Sequence, residues 1–231
     1  MIGILGGTGF HKTDFLGKAE EIEIETFYGR VAALRGKDFL FIHRHGMDMK
    51  VLPHLINHRA NIMAYKEQGV KEILSIASVG SLKKEIPPKS LVVPHDFMQL
   101  TNISTFFETE IVHVTPGLDE EMRKRILSVS RRLGIKVVPQ GVYFQAAGPR
   151  LETCAEINFL KDYADVVGMT MASEATLARE LGIKYATIAT VDNYAHGVAG
   201  AVPDFDMIVE SAAQEREDLK KITKGMVEGL K

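Results

Sequence analysis

Short apolar runs alternate with amphipathic stretches along most of this chain. Residues 1–5 form one such run, cut off by Gly6-Gly7-Thr8-Gly9. Residues 21–27 and 30–34 alternate apolar and polar positions about Tyr28-Gly29, which predicts a hairpin. A strand is predicted at 38–43, followed by a polar turn, and a helix at 57–68 that stops at Gly69. Residues 72–78 predict a buried strand ended by Val79-Gly80-Ser81, and 90–94 a strand after a Pro-Pro pair. Residues 101–114 carry no clear period and read as a long loop. A helix over 119–133 has Asp119 near its start and Gly134 at its end. Beyond it the pattern predicts strands at 137–146, 166–169 and 186–192, helices at 153–163 and 172–181, and a terminal helix over 206–230. Strands alternating with helices predict an α/β fold with a mixed central β-sheet flanked by helices. No linker-like stretch divides the chain, so residues 1–231 are expected to form a single domain.

Charge narrows the field of partners. With 28 basic and 30 acidic residues the net charge is -2, which offers no basic field for nucleic acid or an anionic membrane. Cys154 is the one cysteine, so no intramolecular disulfide can form and a cytoplasmic location is expected. No apolar run reaches the ~18–20 residues needed to span a bilayer. The start of the chain lacks the basic n-region and long apolar core of a signal peptide.

Polar groups cluster just past the apolar strands, where open α/β sheets place their ligands. The Gly3-x-x-Gly6-Gly7-Thr8-Gly9 loop can present backbone amides and the Thr8 hydroxyl to an anion. It superficially resembles a dinucleotide-binding turn. The acidic residue that should close a second strand in such a unit is missing, since residues 21–25 alternate, and a tight turn alone is the plain alternative. His43-Arg44-His45-Gly46 puts three polar residues directly after a strand, with an arginine suited to phosphate. Five nearby histidines (43, 45, 54, 58 and 95) raise the question of metal, but no supporting carboxylate pattern accompanies them, and none is expected. Ser75 to Leu82 supplies small residues at a strand end. Ser78 lacks the strand–turn–helix setting of an activated nucleophile. Gly148-Pro149-Arg150-Leu151-Glu152-Thr153, Gly168-Met169-Thr170-Met171 and Val191-Asp192-Asn193-Tyr194 complete the set. Glu152 read alone is a solvated residue in a first helical turn, and Asn193 alone a turn residue. Three such groups after three strands are harder to explain as packing.

These segments resemble the trimeric purine nucleoside phosphorylase and methylthioadenosine phosphorylase family. The resemblance covers nearly the whole chain and is sharpest at residues 3–10, 43–61, 74–82, 146–156 and 166–183. It implies a phosphorylase with inorganic phosphate as co-substrate and no metal or organic cofactor. It places Thr8, Arg44, His45 and Thr170 on phosphate, with contacts from Ala77 or Ser78. Met169 would lie against the ribose, Tyr143 near the sugar, and Leu151 and Val191 beside the base. Glu152 and Asn193 would read the purine edge; with His45 they form the expected catalytic set. His113 resembles a residue that crosses a subunit interface to a neighbour's ligand, in a homotrimer or a hexamer. Adenine-type members carry Ser and Asp where Glu152 and Asn193 stand, so the resemblance points to a 6-oxopurine: inosine, guanosine or 5′-methylthioinosine. The 5′ end departs from the family pattern: the position nearest the His that contacts the 5′-hydroxyl is Phe205, and an apolar residue there would suit a 5′-methylthio group. The alternatives are a 5′-methylthioadenosine phosphorylase, a hydrolase using water, a non-catalytic nucleoside-binding protein, and an NAD-dependent enzyme.

Overall fold

The structure is a computed structural model that describes residues 1–8, 10, 13–203 and 216–230. β1 (Ile2–Gly6) and β4 (Phe39–His43) are buried at every position. Strands buried on both faces belong to parallel pairing between two helix layers. Accordingly β1 runs parallel to β4 on one side and to β5 (Glu72–Ser81) on the other. β10 (Lys184–Tyr194) pairs in parallel with β5 along its length. β2 (Ala19–Thr26) and β3 (Gly29–Gly36) form the expected hairpin, attached antiparallel to β4. Past β5 the sheet continues through β9 (Val166–Gly168), β8 (Val142–Gln145) and β7 (Asp96–Met98). The short β6 (Leu91–Val92) lies antiparallel on β10.

Helices cover both faces. α1 (His58–Glu67) and α4 (Met171–Glu180) pack against each other on one of them. α2 (Glu120–Arg132) and α5 (Arg216–Val227) pair on the other. β10 records the two cores. Tyr185, Ala189 and Val191 join the first cluster, Ala186 and Ile188 the second, which is the alternation of a strand between two layers. α3 (Cys154–Leu160) closes a smaller cluster with Leu82, Val167 and Ala195.

The helix ends follow local chemistry. Asn57 caps α1 by accepting from Ala60 N at 3.0 Å, and Asp119 caps α2 from Met122 N at 2.9 Å. Gly69 and Gly134, just past those helices, both adopt positive φ. Thr153 and Glu156 form a reciprocal capping box at α3.

Several boundaries differ from the sequence expectation. β5 runs through Val79-Gly80-Ser81, because β10 and then β9 pair with residues that read as a turn. The strand expected over 137–146 is β8 alone, with Val138 making a single bridge to Val92. β7 was not anticipated; three residues are too few for a period to show. α4, expected over 172–181, begins and ends one residue earlier and is buried at eight consecutive positions, Met171 to Ala178. Of the terminal helix, residues 216–227 are seen, and 206–215 lie outside the described residues.

Arg123 on α2 ties the strand connections together. It is buried and donates through Nε to Pro94 O at 2.6 Å and through Nη2 to Pro139 O at 2.8 Å. Arg123→Met keeps the apolar stem and strands both carbonyls. It should lower unfolding stability by about 3 kcal/mol, read as a shifted urea midpoint at unchanged slope.

Candidate active site

The sheet divides at β5. β10 holds one edge of that strand from Glu72 to Ser81. The other edge is taken by β1 at Ile73 to Ser75 and by β9 at Gly80 and Ser81. Between those partners no described strand reaches it. There the Ile76 carbonyl accepts from Arg44 Nη1 at 2.7 Å. A cavity of about 300 Å³ opens at this division, lined by Ser78 and Gly80 of β5 and by Val167 and Gly168 of β9. Thr8 after β1, Arg44 and His45 at the end of β4, and Met169 and Thr170 before α4 line it too. So do Leu151, Glu152 and Asn193.

Arg44 lines the cavity from below, with its side chain almost wholly buried. Its Nε donates to Glu174 Oε1 at 2.6 Å and its Nη2 to Glu174 Oε2 at 3.2 Å. Nη2 also reaches Leu5 O at 3.1 Å and Ser75 Oγ at 2.8 Å. Glu174 further accepts from Ser75 Oγ at 3.0 Å and from Tyr185 Oη at 2.7 Å. Burial disfavours both charges, but each favours the other. The result is that Glu174 stays below the usual carboxylate range and Arg44 above the ordinary arginine value. Of the two Nη1 hydrogens, one goes to the Ile76 carbonyl. Gly7 permits the arrangement, since a Cβ there would collide with Nη1.

Tyr143 is also a support. It is fully buried, and its hydroxyl accepts from Thr170 N at 3.1 Å and Met171 N at 3.4 Å. Gln145 Oε1 accepts from Ser173 N at 3.0 Å. Together they satisfy the start of α4, and a Cβ on Gly168 would run into the Tyr143 hydroxyl. Thr170 is the N-cap of α4 but its side chain makes no capping bond; its hydroxyl pairs with that of Tyr143 instead.

Glu152 precedes the α3 cap Thr153, so it is not a first-turn helix residue. Burial raises its pKa above the ordinary glutamate value. Asn193 lies within β10, not in a turn. The β5 register slips between Val191 and Asn193, so Asp192 is a bulge and Asn193 stands opposite Gly80. Its Nδ2 donates to Tyr194 O at 2.8 Å, which orients the amide and leaves one N–H and the carbonyl oxygen.

Three more ionisable groups surround this floor. His45 Nδ1 lies 2.8 Å from Val51 O. Burial and then Arg44 hold its pKa below the usual histidine value. His58 on α1 is pushed down to about 4, mainly by burial, with its Nδ1 3.8 Å from Glu174 Oε1. Asp192 is pushed up to about 6 by burial, although Ser78 Oγ donates to it. Among the described residues no three His, Cys, Asp or Glu side chains converge as a metal site.

A model of the phosphorylase superfamily matches residues 1–228. The chain belongs to that family. It is 45% identical over 232 residues to a "Probable 6-oxopurine nucleoside phosphorylase" of Archaeoglobus fulgidus, covering 98% of this chain and 96% of the relative. It is 40% identical over 241 residues to a "Probable S-methyl-5'-thioinosine phosphorylase" of Methanothermobacter thermautotrophicus, covering 100% and 85%. A solved methylthioadenosine phosphorylase from Schistosoma mansoni in complex with adenine superposes with TM-score 0.91 at 25% identity, covering 99% of this chain and 91% of that one.

In this phosphorylase the cavity gathers Thr8, Arg44, His45, Ser78, Leu151, Glu152, Met169, Thr170 and Asn193 of the expected set. Three of the expected residues do not line this cavity. Tyr143 lies in the core under the loop, and Ala77 and Val191 are packed inside the sheet, so none of them lines the cavity. Arg44 cannot offer a bidentate edge, because Glu174 already takes it. His113 is exposed and away from this chain's cavity. Phe205 lies outside the described residues. Glu174 escaped the sequence reading, although an acidic residue in the apolar helix MASEATLA was a signal for it.

His58 and Asp192 give the fold opposed acid responses. His58 has a folded pKa near 4 against 6.5, so its stability is complete above pH 6.5 and is lost as pH falls toward 4. Asp192 has a folded pKa near 6 against 3.8, so its penalty is present above pH 6 and is relieved as pH falls toward 3.8. Each is worth up to about 3 kcal/mol. Relative to wild type, His58→Leu should gain stability on going from neutral pH to about pH 4.5, and Asp192→Asn should lose it. Urea midpoints at the two pH values measure both.

Proposed function

We propose that the chain catalyses phosphorolysis of 6-oxopurine nucleosides, namely inosine, guanosine or 5′-methylthioinosine. The products are the free base and ribose 1-phosphate or its 5-methylthio counterpart, a purine-salvage reaction. The observation that carries this reading is that one cavity holds both an oxyanion set and a purine-reading pair. Thr8, His45, Thr170 and the remaining Arg44 N–H surround the place for phosphate, with Ser78 beside them. Met169 would lie on the sugar and Leu151 along the base. Glu152 accepts from the N1–H of hypoxanthine or guanine, which adenine lacks. Asn193 has one free N–H, so it donates to N7 or to O6 and not to both.

In this mechanism the glycosidic bond loosens first and C1′ gains cationic character. Phosphate stabilises that carbon and then bonds to it. The leaving purine gathers negative charge, and the free Asn193 N–H meets it more strongly in the transition state than in the ground state. Placing two substrates side by side supplies much of the remaining acceleration. No covalent enzyme intermediate, metal or organic cofactor takes part; phosphate is the co-substrate.

The proposed assembly is a homotrimer or hexamer in the cytoplasm. Leu100, Ile103 and Ile111 of the irregular segment and Phe159 and Tyr163 of the α3 region expose large apolar surfaces that self-association would cover. His113 lies in the same segment and would reach a neighbouring site. Among the described residues no helix is long and apolar enough to cross a membrane.

Base release from inosine, followed by absorbance, should require phosphate and yield a sugar 1-phosphate. Equal turnover in phosphate-free buffer would instead indicate a hydrolase. Base choice is a separate test. Hypoxanthine or guanine nucleosides should exceed adenine nucleosides by ~10²-fold in kcat/KM, the effect of one or two mismatched buried hydrogen bonds. Glu152→Gln should weaken 6-oxopurine use, and Asn193→Asp should narrow or reverse the preference. Wild-type enzyme that cleaves 5′-methylthioadenosine as fast as its inosine analogue would refute this assignment of the base pocket.

A further inference from the structure

Glu152 stands between two cavities. Among the described residues it alone lines both the active-site cavity and a second one of about 330 Å³, whose walls include Leu100, Phe144, Phe159 and Leu160. No described side chain hydrogen-bonds its carboxylate, so its aim depends on the backbone that carries it. That backbone is held on both sides by one group. Arg150 Nη1 and Nη2 donate to Glu156 Oε2 and Oε1, each at 2.8 Å. Thr153 N donates to the same Oε2 at 2.7 Å, and Glu156 N donates back to Thr153 Oγ1 at 3.2 Å. Arg150 Nη1 also reaches the Leu151 carbonyl at 3.0 Å. Residues 150, 151 and 153 are thus tied into a ring closed by Glu156 of α3, and Glu152 rides on that ring.

An ion pair this exposed, with side chains 64% and 43% accessible, adds little stability. Its paired, parallel hydrogen bonds do fix direction. We infer that Arg150 and Glu156 are positioning residues for base choice: their ion pair, joined to the Thr153 cap, holds Glu152 where it meets the purine edge. This rests on the base-reading role proposed for Glu152 and adds the residues that aim it. The pair also sets the charge there. Burial raises the Glu152 pKa; Glu156 adds to that rise and Arg150 opposes it. Arg150 therefore keeps Glu152 an anion to lower pH. Arg44 and His45 at the end of β4 and His196 after β10 face the same cavity.

Glu156→Gln keeps an acceptor for Thr153 N, as a capping box allows, and loses the ionic pair. Arg150→Met keeps the apolar stem and loses the charge. Each should narrow the preference for inosine over adenosine in kcat/KM about fivefold, the size of one well-formed exposed ion pair, and leave the phosphate KM within about twofold of wild type. The double variant should match the singles rather than multiply them, because all three lack the same pair. Calorimetric titration with hypoxanthine between about pH 5 and about pH 8 separates charge from aim. In Arg150→Met, Glu156 stands uncompensated beside Glu152, so affinity should begin to fall at a higher pH than in the wild type. In the double variant that shift should vanish, and Arg44, His45 and His196 are the same in every variant. Wild-type base preference in both single variants, a phosphate KM raised as much as that for inosine, a multiplicative double variant, or an acid limb unmoved in Arg150→Met would each overturn the proposal. An unchanged preference in Glu152→Gln would overturn it together with the reading of the base pocket. A changed one, with both clamp variants at wild-type values, would overturn the clamp alone.

Discussion

Two opposite charges share the interior of this protein where neither could stay alone. Removing one partner of such a buried pair costs about 3–5 kcal/mol, whereas replacing both with apolar groups is often neutral. Stability is therefore a weak reason for Arg44 and Glu174 to be there, and placement is a better one. Through this pair and its hydrogen bonds, the carbonyl end of β1, the unpaired edge of β5, the start of α4 and Tyr185 of β10 are held in one geometry. The cavity lies above that junction. Arg44 fills the gap in the β5 ladder that a strand would otherwise fill, so the same side chain that opens the sheet also satisfies it.

Charge at the cavity floor is consequently subdued. The guanidinium is neutralised from below, and His45 and His58 are both held toward their neutral forms. A phosphate ion bound there, as proposed, would meet oriented dipoles and single N–H groups more than bare positive charge. Such an environment favours redistribution of charge during a reaction over tight capture of the anion at rest.

Much of this was legible in the residues, and the failures have physical causes. The alternation of strands and helices gave the layered sheet, and Asn57, Asp119, Gly69 and Gly134 marked their helix ends because capping is local chemistry. Glu152, Asn193 and His45 were visible as polar groups after apolar strands. What stayed hidden depends on contacts between distant segments. Nothing near Arg44 announces that Glu174, one hundred and thirty positions later, will occupy its donors. Tyr143 was placed near the sugar by the resemblance alone, and strand alternation turns it into the core. A strand at 166–169 was expected, but its pairing was not written in it, and the extension of β5 through Gly80 comes from pairing with β10 and β9.

The start of α4 has one more consequence. Many anion sites leave a helix end unfinished until the ion arrives. Here Tyr143 and Gln145 already receive the amides of Thr170, Met171 and Ser173. Emptying the cavity therefore breaks no backbone hydrogen bond at these three positions, and the loop keeps its shape between one occupant and the next. The ion is a visitor to a finished frame, and each cycle of arrival and departure is spared a folding step.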